Sequence, residues 1–282
     1  MYETLFLFFI YAFLGWCLEV AYHALVTGQF INRGFLNGPW CPVYGFGASA
    51  VLACLLPLRE NQFLLFLGSV AVTSAIEWLT GFALEKLFHQ HWWDYSDQPF
   101  NLNGYICLRF SLAWGVACLV VVDAVHPLVL WCVAHFPHTL GLIFLALLLA
   151  AMLLDLTSTL RTIAKLNRRL VQLDEAAAQL HALSDEIGEN IADRVLEAAE
   201  RGQNLRDVMQ ADLIEWKGEL ADRREGFLER TEALRQKLEQ SLAEKDAGVG
   251  RLMAAFPRMR SVQYGPALER LRRRYQNRKR DS

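Results

Sequence analysis

Positive charge is confined to the later part of this chain. Residues 1–160 contain 4 of its 28 Lys and Arg, and residues 161–282 contain the other 24. The first 160 residues are otherwise dominated by long runs of Leu, Phe, Val and Ala. A hydrocarbon solvent rewards such runs and penalises each charged group by about 3 kcal/mol or more. The sequence therefore describes two physical objects, an apolar block that lies in a bilayer and a charged tail that lies in water.

All six cysteines (Cys17, Cys41, Cys54, Cys107, Cys118, Cys132) fall in the apolar block without a CxxC pair, and read as small buried hydrophobes rather than a disulfide framework. The opening Met1-Tyr2-Glu3 has neither a basic leader nor a small-x-small cleavage site, so the first span is expected to be retained. Charge divides the tail again. Residues 161–250 hold 14 basic against 19 acidic groups, and residues 251–282 hold 10 against 2. Domain boundaries are accordingly expected at 1–160 (membrane helices), 161–246 (charged amphipathic helix) and 247–282 (basic segment).

Five stretches approach the roughly 20 residues that a helix needs to cross a bilayer. They lie near Leu5–Leu25, Tyr44–Leu58, Phe63–Leu87, Ile106–Val125 and Thr139–Leu160. The second is short and begins in a Gly-rich loop. The expected fold class is all-α: a polytopic helical membrane domain of about five transmembrane helices, followed by a cytoplasmic helical or coiled-coil tail. Arg161, Lys165, Arg168 and Arg169 follow the fifth span at once, which by the positive-inside rule places the tail in the cytoplasm and the N-terminus outside. The expected location is the bacterial inner membrane.

Two connectors then face the cytoplasm together, and both are loaded with Gly, Pro, Asn, Asp and aromatics that no regular helix tolerates. The first runs from Asn32 to Gly47 and the second from His91 to Tyr105. Trp and Tyr favour the headgroup region whatever a protein does, so Trp92 and Trp93 fit interfacial anchoring as well as a site. Anchoring explains less of the Asn, Asp and Arg beside them.

Arg33-Gly34, Asn37-Gly38-Pro39 and Pro42-Val43-Tyr44-Gly45, followed by Trp93-Asp94-Tyr95-Ser96 and Phe100-Asn101-Leu102-Asn103-Gly104, resemble the bacterial family of putative ABC-transporter permeases (type IV, CmpB-like). The resemblance continues through Ile106-Cys107-Leu108 and Ser111-Leu112-Ala113-Trp114-Gly115 and covers about residues 1–155. It implies a permease-like membrane subunit. The chain has no GxxxxGK[ST] loop to cradle phosphates, so an ATPase would be a separate partner chain.

Ionisable groups inside the spans add candidates, because each needs a partner or a watered cavity. Glu19 and His23 share a face of the first span. Glu77, Gly81 and Glu85 stack on the third, with His89 one turn further. Glu77 lies nearest mid-span, and pairing with Arg109 or Arg33 is expected. Glu-x-x-x-His is a loose ligand pattern, and groups near helix ends also reach the interface, so no metal or cofactor is expected. The cavity candidates are Glu19, His23, Arg33, Asn37, Glu77, Glu85, Asp94, Tyr95, Asn101, Asn103 and Arg109, with no catalytic residue assigned.

In the tail, Leu166, Leu170, Leu173, Ala177, Leu180, Ile187 and Ile191 follow the alternating 4 and 3 spacing of a coiled-coil seam, and Leu213, Trp216, Leu220, Phe227, Leu234 and Leu238 repeat it with gaps. Oligomerisation or a partner protein through residues 161–246 is expected. Arg270, Arg272, Arg273, Arg274, Arg278, Lys279 and Arg280 suit anionic lipid or another polyanion. The expected function is a membrane permease-like subunit of a transport system. The alternatives are a membrane-embedded enzyme on a lipid or lipid-linked substrate at the cytoplasmic leaflet, for which no motif names a reaction, and a membrane-anchored coiled-coil scaffold.

Overall fold

A computed structural model describes residues 2–200, 213–243 and 246–280. The elements are α1 (Tyr2–Thr27), α2 (Pro42–Leu55) with a 3-10 turn Leu56–Leu58, α3 (Gln62–Phe88), β1 (Gln90–His91), β2 (Asn101–Leu102), β3 (Ile106–Cys107), α4 (Leu108–Val120), a π-helical turn Val121–Val125, α5 (His126–Ala134), α6 (His138–Glu200), α7 (Leu213–Ala243), α8 (Ala247–Ala255), β4 (Arg260–Ser261) and α9 (Gly265–Arg280). Four helical stretches are long and apolar enough to cross a membrane: Tyr2–Thr27, Gln62–Phe88, Leu108–Ala134 and one within His138–Asp185. Each of the five apolar stretches forms a helix, the fourth starting at Leu108 after β3 and running on to Ala134 rather than ending at Val125, and Pro42–Leu58 is the short one. The protein is thus an all-α membrane protein.

The helix ends follow local chemistry. Gly28, at φ 69°, ends α1, and its N–H bonds Ala24 O at 2.8 Å, as a left-handed C-terminal glycine does. Pro42 sits in the first turn of α2, where its missing N–H costs nothing. Asn61 caps α3 by accepting from Leu64 N at 3.1 Å. Between α4 and α5 the ladder loosens because Pro127 has no N–H for the Asp123 carbonyl four residues earlier. His126 N–H reaches back five residues to Val121 O, and the Arg59 guanidinium donates to Asp123 O at 3.4 Å and to its carboxylate at 3.1 Å. Arg59 is therefore ion-paired with Asp123.

Packing places α1 at the centre. One apolar cluster joins Phe6, Phe8 and Phe9 of α1 to Val129 and Val133 of α5 and Leu145 of α6. Another joins Tyr11 to Val51, Leu52 and Leu55 of α2, Leu65 of α3 and Val122. Large apolar side chains on the opposite faces, among them Leu79, Leu128, Leu147 and Leu154, are exposed, as a lipid-facing surface requires. The two connectors, loop 1 (residues 28–41) and loop 2 (residues 89–105), leave the same end of this bundle.

The chain folds as two compact units: residues 1–166 with 246–265, and residues 167–245 with 266–282. In the second unit, α6 and α7 face each other across a groove lined by Gln179, Ala182 and Leu183 on one side and Arg230, Ala233 and Leu234 on the other. Leu166, Leu170 and Leu173 of the sequence seam are fully buried. The side chains of Ile187, Ile191, Leu213, Trp216 and Leu220 lie outside the described residues, as do those of Arg278, Lys279 and Arg280, whose backbone continues α9.

Gly45 and Gly47 of α2 separate packing from propensity. A Cβ on Gly45 would lie 2.7 Å from the Phe8 carbonyl oxygen, whereas one on Gly47 would meet nothing within 4 Å. Gly45→Ala is expected to destabilise the purified protein by about 1–3 kcal/mol. Gly47→Ala, which gains about 1 kcal/mol of helix propensity, is expected to leave the melting temperature unchanged or higher.

Candidate functional site

Loop 1 is irregular backbone at the edge of an apolar bundle, so its N–H and C=O groups need protein partners. On the N–H side the partner is Asp155 of α6. Its carboxylate accepts from Asn37 N at 3.0 Å, Asn37 Nδ2 at 2.7 Å, Gly38 N at 2.6 Å and Trp40 Nε1 at 2.9 Å. On the C=O side the partner is Arg251 of α8, whose Nη1 donates to Gly34 O at 2.9 Å and Leu36 O at 3.2 Å while Nη2 donates to Phe35 O at 3.0 Å. Asn32 braces the turn by accepting from Trp16 Nε1 at 2.8 Å and donating to Asn37 O at 2.6 Å. The Asn37-Gly38-Pro39-Trp40 motif is thus the cradle of one carboxylate.

Held in this way, loop 1 presents Arg33 to Glu19, Nε to Oε2 at 3.5 Å. Glu19 also accepts a hydrogen bond from Tyr44 Oη at 2.6 Å. Gly15, one turn before Glu19, leaves the space that the Tyr44 ring occupies. His23 stays on the same face but bonds Thr27 Oγ1 at 3.1 Å.

The row Glu77, Gly81 and Glu85 of α3 faces loop 2. Tyr95 hydrogen-bonds the Glu77 carboxylate. Glu77 Oε2 is buried with no hydrogen-bond partner. A Cβ on Gly81 would lie 2.8 Å from the Tyr105 ring, so the glycine makes room for it. Glu85 accepts from Tyr105 Oη and lies 3.2 Å from His91 Nε2. Glu77 is therefore paired with neither Arg33 nor Arg109. Arg33 is taken by Glu19, and Arg109, exposed on the first turn of α4, lies over the Phe110 ring at 5.9 Å.

Loop 2 supports itself. Asp94 Oδ1 accepts from Ser96 N at 2.9 Å and Ser96 Oγ at 2.5 Å. Asn101 Nδ2 donates to Ser96 O at 3.1 Å and Gln98 O at 2.8 Å, and Tyr95 N donates to Gly104 O at 2.9 Å. Asn103 and Gly104, at φ 56° and 70°, turn β2 into its antiparallel partner β3. Asn103 Oδ1 accepts from Trp78 Nε1 at 3.5 Å. Trp93 Nε1 donates to Tyr105 O at 2.8 Å. Trp92, 3% exposed, stands edge-on to Phe35, Phe88 and Phe256. Trp92 is therefore a packing residue and not an interfacial anchor.

The segment Asp246–Gly265 returns to these loops. Besides Arg251, its Arg260 Nη1 donates to Asp94 Oδ2 at 2.5 Å, β4 pairs antiparallel with β1, and Val262 N donates to His89 O at 3.1 Å. The electrostatics outside the spans follow. Burial alone would raise the Asp94 carboxyl, but the bonds from Ser96 and Arg260 outweigh it and hold it at about 2. Burial and then the charges of Glu77 and Glu19 push the Tyr95 phenol up. Burial and Glu85 push Tyr105 up to about 12, and burial with the nearby Glu19 charge pushes the Cys41 thiol up to about 12.

Among the described residues no group of three or more His, Cys, Asp or Glu could hold a metal. The two Glu-x-x-x-His pairs do not converge; His89 is the left-handed C-cap of α3. The structure brings Glu19 and Arg33 of α1 and loop 1 together with Glu77, Glu85, Asp94, Tyr95, Asn101 and Asn103 of α3 and loop 2, and the Glu19 charge reaches Tyr95. Asp155, Arg251 and Arg260 were not among the sequence candidates. Asp155 carried a signal in being an acid late in an apolar span, whereas one arginine within a basic tail carried none.

The model of the family described as putative ABC-transporter type IV matches residues 6–160. No curated protein and no solved structure matches the chain.

Because the folded-state value of Asp94 is depressed, its contribution to stability is present above the unfolded value of about 3.9 and is lost as pH falls toward about 2. Melting temperatures of the detergent-solubilised protein should fall over that window by more than those of Asp94→Asn. Parallel curves would contradict the assignment.

Proposed function

We propose that this chain, which belongs to the putative ABC-transporter type IV family, is a permease-like subunit whose loop end is the cytoplasmic entrance to its transport path. The family match and the apolar helices fit a membrane transport-related protein. The observation that carries the finer reading is the pair of intramembrane carboxylates, Glu19 and Glu77, near the loop end, with a buried Glu77 oxygen that no protein group satisfies. Ionisable groups within a bilayer are expensive, and they persist where a pathway uses them. Glu19 is balanced by Arg33, which leaves Glu77 as the acid free to meet a solute that carries a hydrogen-bond donor or positive charge.

Charge supports the orientation. Arg33, Lys86, Arg109 and Arg161 lie at the loop end, while Arg59 at the opposite end is neutralised by Asp123. The loop end is then cytoplasmic and the N-terminus outside, in the bacterial inner membrane. An ATP-hydrolysing subunit on a separate chain supplies the energy, and the exposed loop 2 surface is where it meets the bundle. The charged segment at residues 161–246 serves assembly, and the basic residues of α9 rest on anionic lipid.

Mild extraction from native membranes should bring an ATP-hydrolysing chain with the protein; recovery of the chain alone after cross-linking would contradict the reading. Glu77→Gln should keep the melting temperature within the roughly 0.5 kcal/mol scatter of benign substitutions while abolishing phenotype. In right-side-out vesicles, an impermeant thiol reagent should label Glu60→Cys and spare Asp97→Cys. The reverse pattern would invert the topology.

A further inference from the structure

The family match ends at residue 160, yet the loop end is not complete without residues far beyond it. Both loops are gripped by one short segment, Asp246–Gly265, which follows α7. Arg251 takes three consecutive carbonyls of loop 1. Nine residues later, Arg260 takes the Asp94 carboxylate of loop 2, and β4 adds a rung to β1. Between the two grips, Phe256 closes on Trp92, which itself touches Phe35 of loop 1, so the segment bridges the loops through a shared aromatic contact. Its start is fixed as well. Asp246 caps α8 by accepting from Gly248 N at 2.9 Å and pairs with Lys165 of α6 at 3.6 Å.

We propose that Asp246–Gly265 is a clasp: by holding loop 1 through Arg251 and loop 2 through Arg260, it keeps the Glu19–Arg33 and Glu77–Tyr95 groups packed together, and its release opens the loop end. Arg251 and Arg260 are positioning residues. Neither touches the intramembrane carboxylates, but Arg251 fixes the backbone that carries Arg33, and Arg260 fixes the residue next to Tyr95. The grips are unequal. Arg251 is half-buried, whereas the Arg260 side chain is 68% exposed and opposes Asp94 at the water boundary. Opening therefore begins at the more exposed Arg260 grip, and loop 2 moves before loop 1.

The clasp rests on the loop end being an entrance, as proposed above, but it is tested without any substrate. Cys41, at the end of loop 1, is 5% exposed and buried beside Glu19 and Arg33, so its thiol reports on opening. In full-length protein in lipid nanodiscs, with Cys41 as the sole cysteine, a soluble maleimide should react slowly. Arg251→Ala with Arg260→Ala should speed that reaction by at least about tenfold, since labelling follows the open population. A matching chain with Cys118 alone, inside the bundle, should keep its rate. Adding Gln90→Cys and Ser261→Cys, which are ladder partners, and oxidising them should return Cys41 to the slow rate in the double-arginine variant. Three outcomes would overturn the clasp: Cys41 still slow without the arginines, Cys118 accelerating with it, or Cys41 still fast when the link is closed. Any of these leaves the transport reading standing, and failure to recover an ATPase leaves the labelling result unchanged.

Discussion

Between Asp155 on α6 and Arg251 on α8, the backbone of loop 1 meets an anion on its N–H side and a cation on its C=O side. Beside a lipid-facing bundle, each peptide group left unmet would cost several kcal/mol. Charge-assisted bonds are about twice as strong as neutral ones. Two side chains drawn from distant parts of the sequence thus satisfy a stretch of chain that could not otherwise stay irregular there. The charges also attract one another through the loop, since Asp155 favours the charged form of Arg251 against its burial. This arrangement lets a turn rich in Gly and Pro sit where a helix would otherwise be required.

The rest of the loop end follows from that anchoring. With loop 1 held, Arg33 reaches Glu19, and α2 starts where Tyr44 can reach the same carboxylate past Gly15. Loop 2 needs less outside support because Asp94 and Asn101 fold it on itself, leaving Tyr95 and Tyr105 to reach back to α3. Each acid on the inner faces of α1 and α3 has a tyrosine from a connector or its edge: Glu19 with Tyr44, Glu77 with Tyr95, Glu85 with Tyr105. Phenols donate to carboxylates without adding charge, which suits a low-dielectric setting where a lysine partner would need solvation of its own. Glu77 is distinguished by the oxygen that remains unmet.

Much of this was legible in the sequence because the bilayer imposes simple rules. Segregated charge gave the membrane block, its apolar runs gave the helices, and the short Pro42–Leu58 stretch stood out by length alone. The i, i+4 row of Glu77, Gly81 and Glu85 is indeed one face, turned toward loop 2. Partners were less legible. Arg109 and Arg33 were natural guesses for Glu77, since opposite charges attract, but tyrosines fill that role and their aromatic character reads equally well as interfacial anchoring. Asp155 carries no local mark of its role because its donors, the Asn37 and Gly38 amides and the Asn37 and Trp40 side chains, lie more than a hundred residues away in the chain. Arg251 and Arg260 were hidden among other basic residues, and nothing local reveals that a chain leaving the membrane block at residue 166 comes back to it at 246.

Amide hydrogen exchange of the peptides covering residues 34–40 in the detergent-solubilised protein tests the sandwich of loop 1 most directly. These amides should be protected to a degree comparable with neighbouring helix ends, and Asp155→Ala should release Asn37 and Gly38 by at least about tenfold while the helices keep their protection. Fast exchange at Asn37 and Gly38 in the unaltered protein, or full protection in Asp155→Ala, would contradict the account.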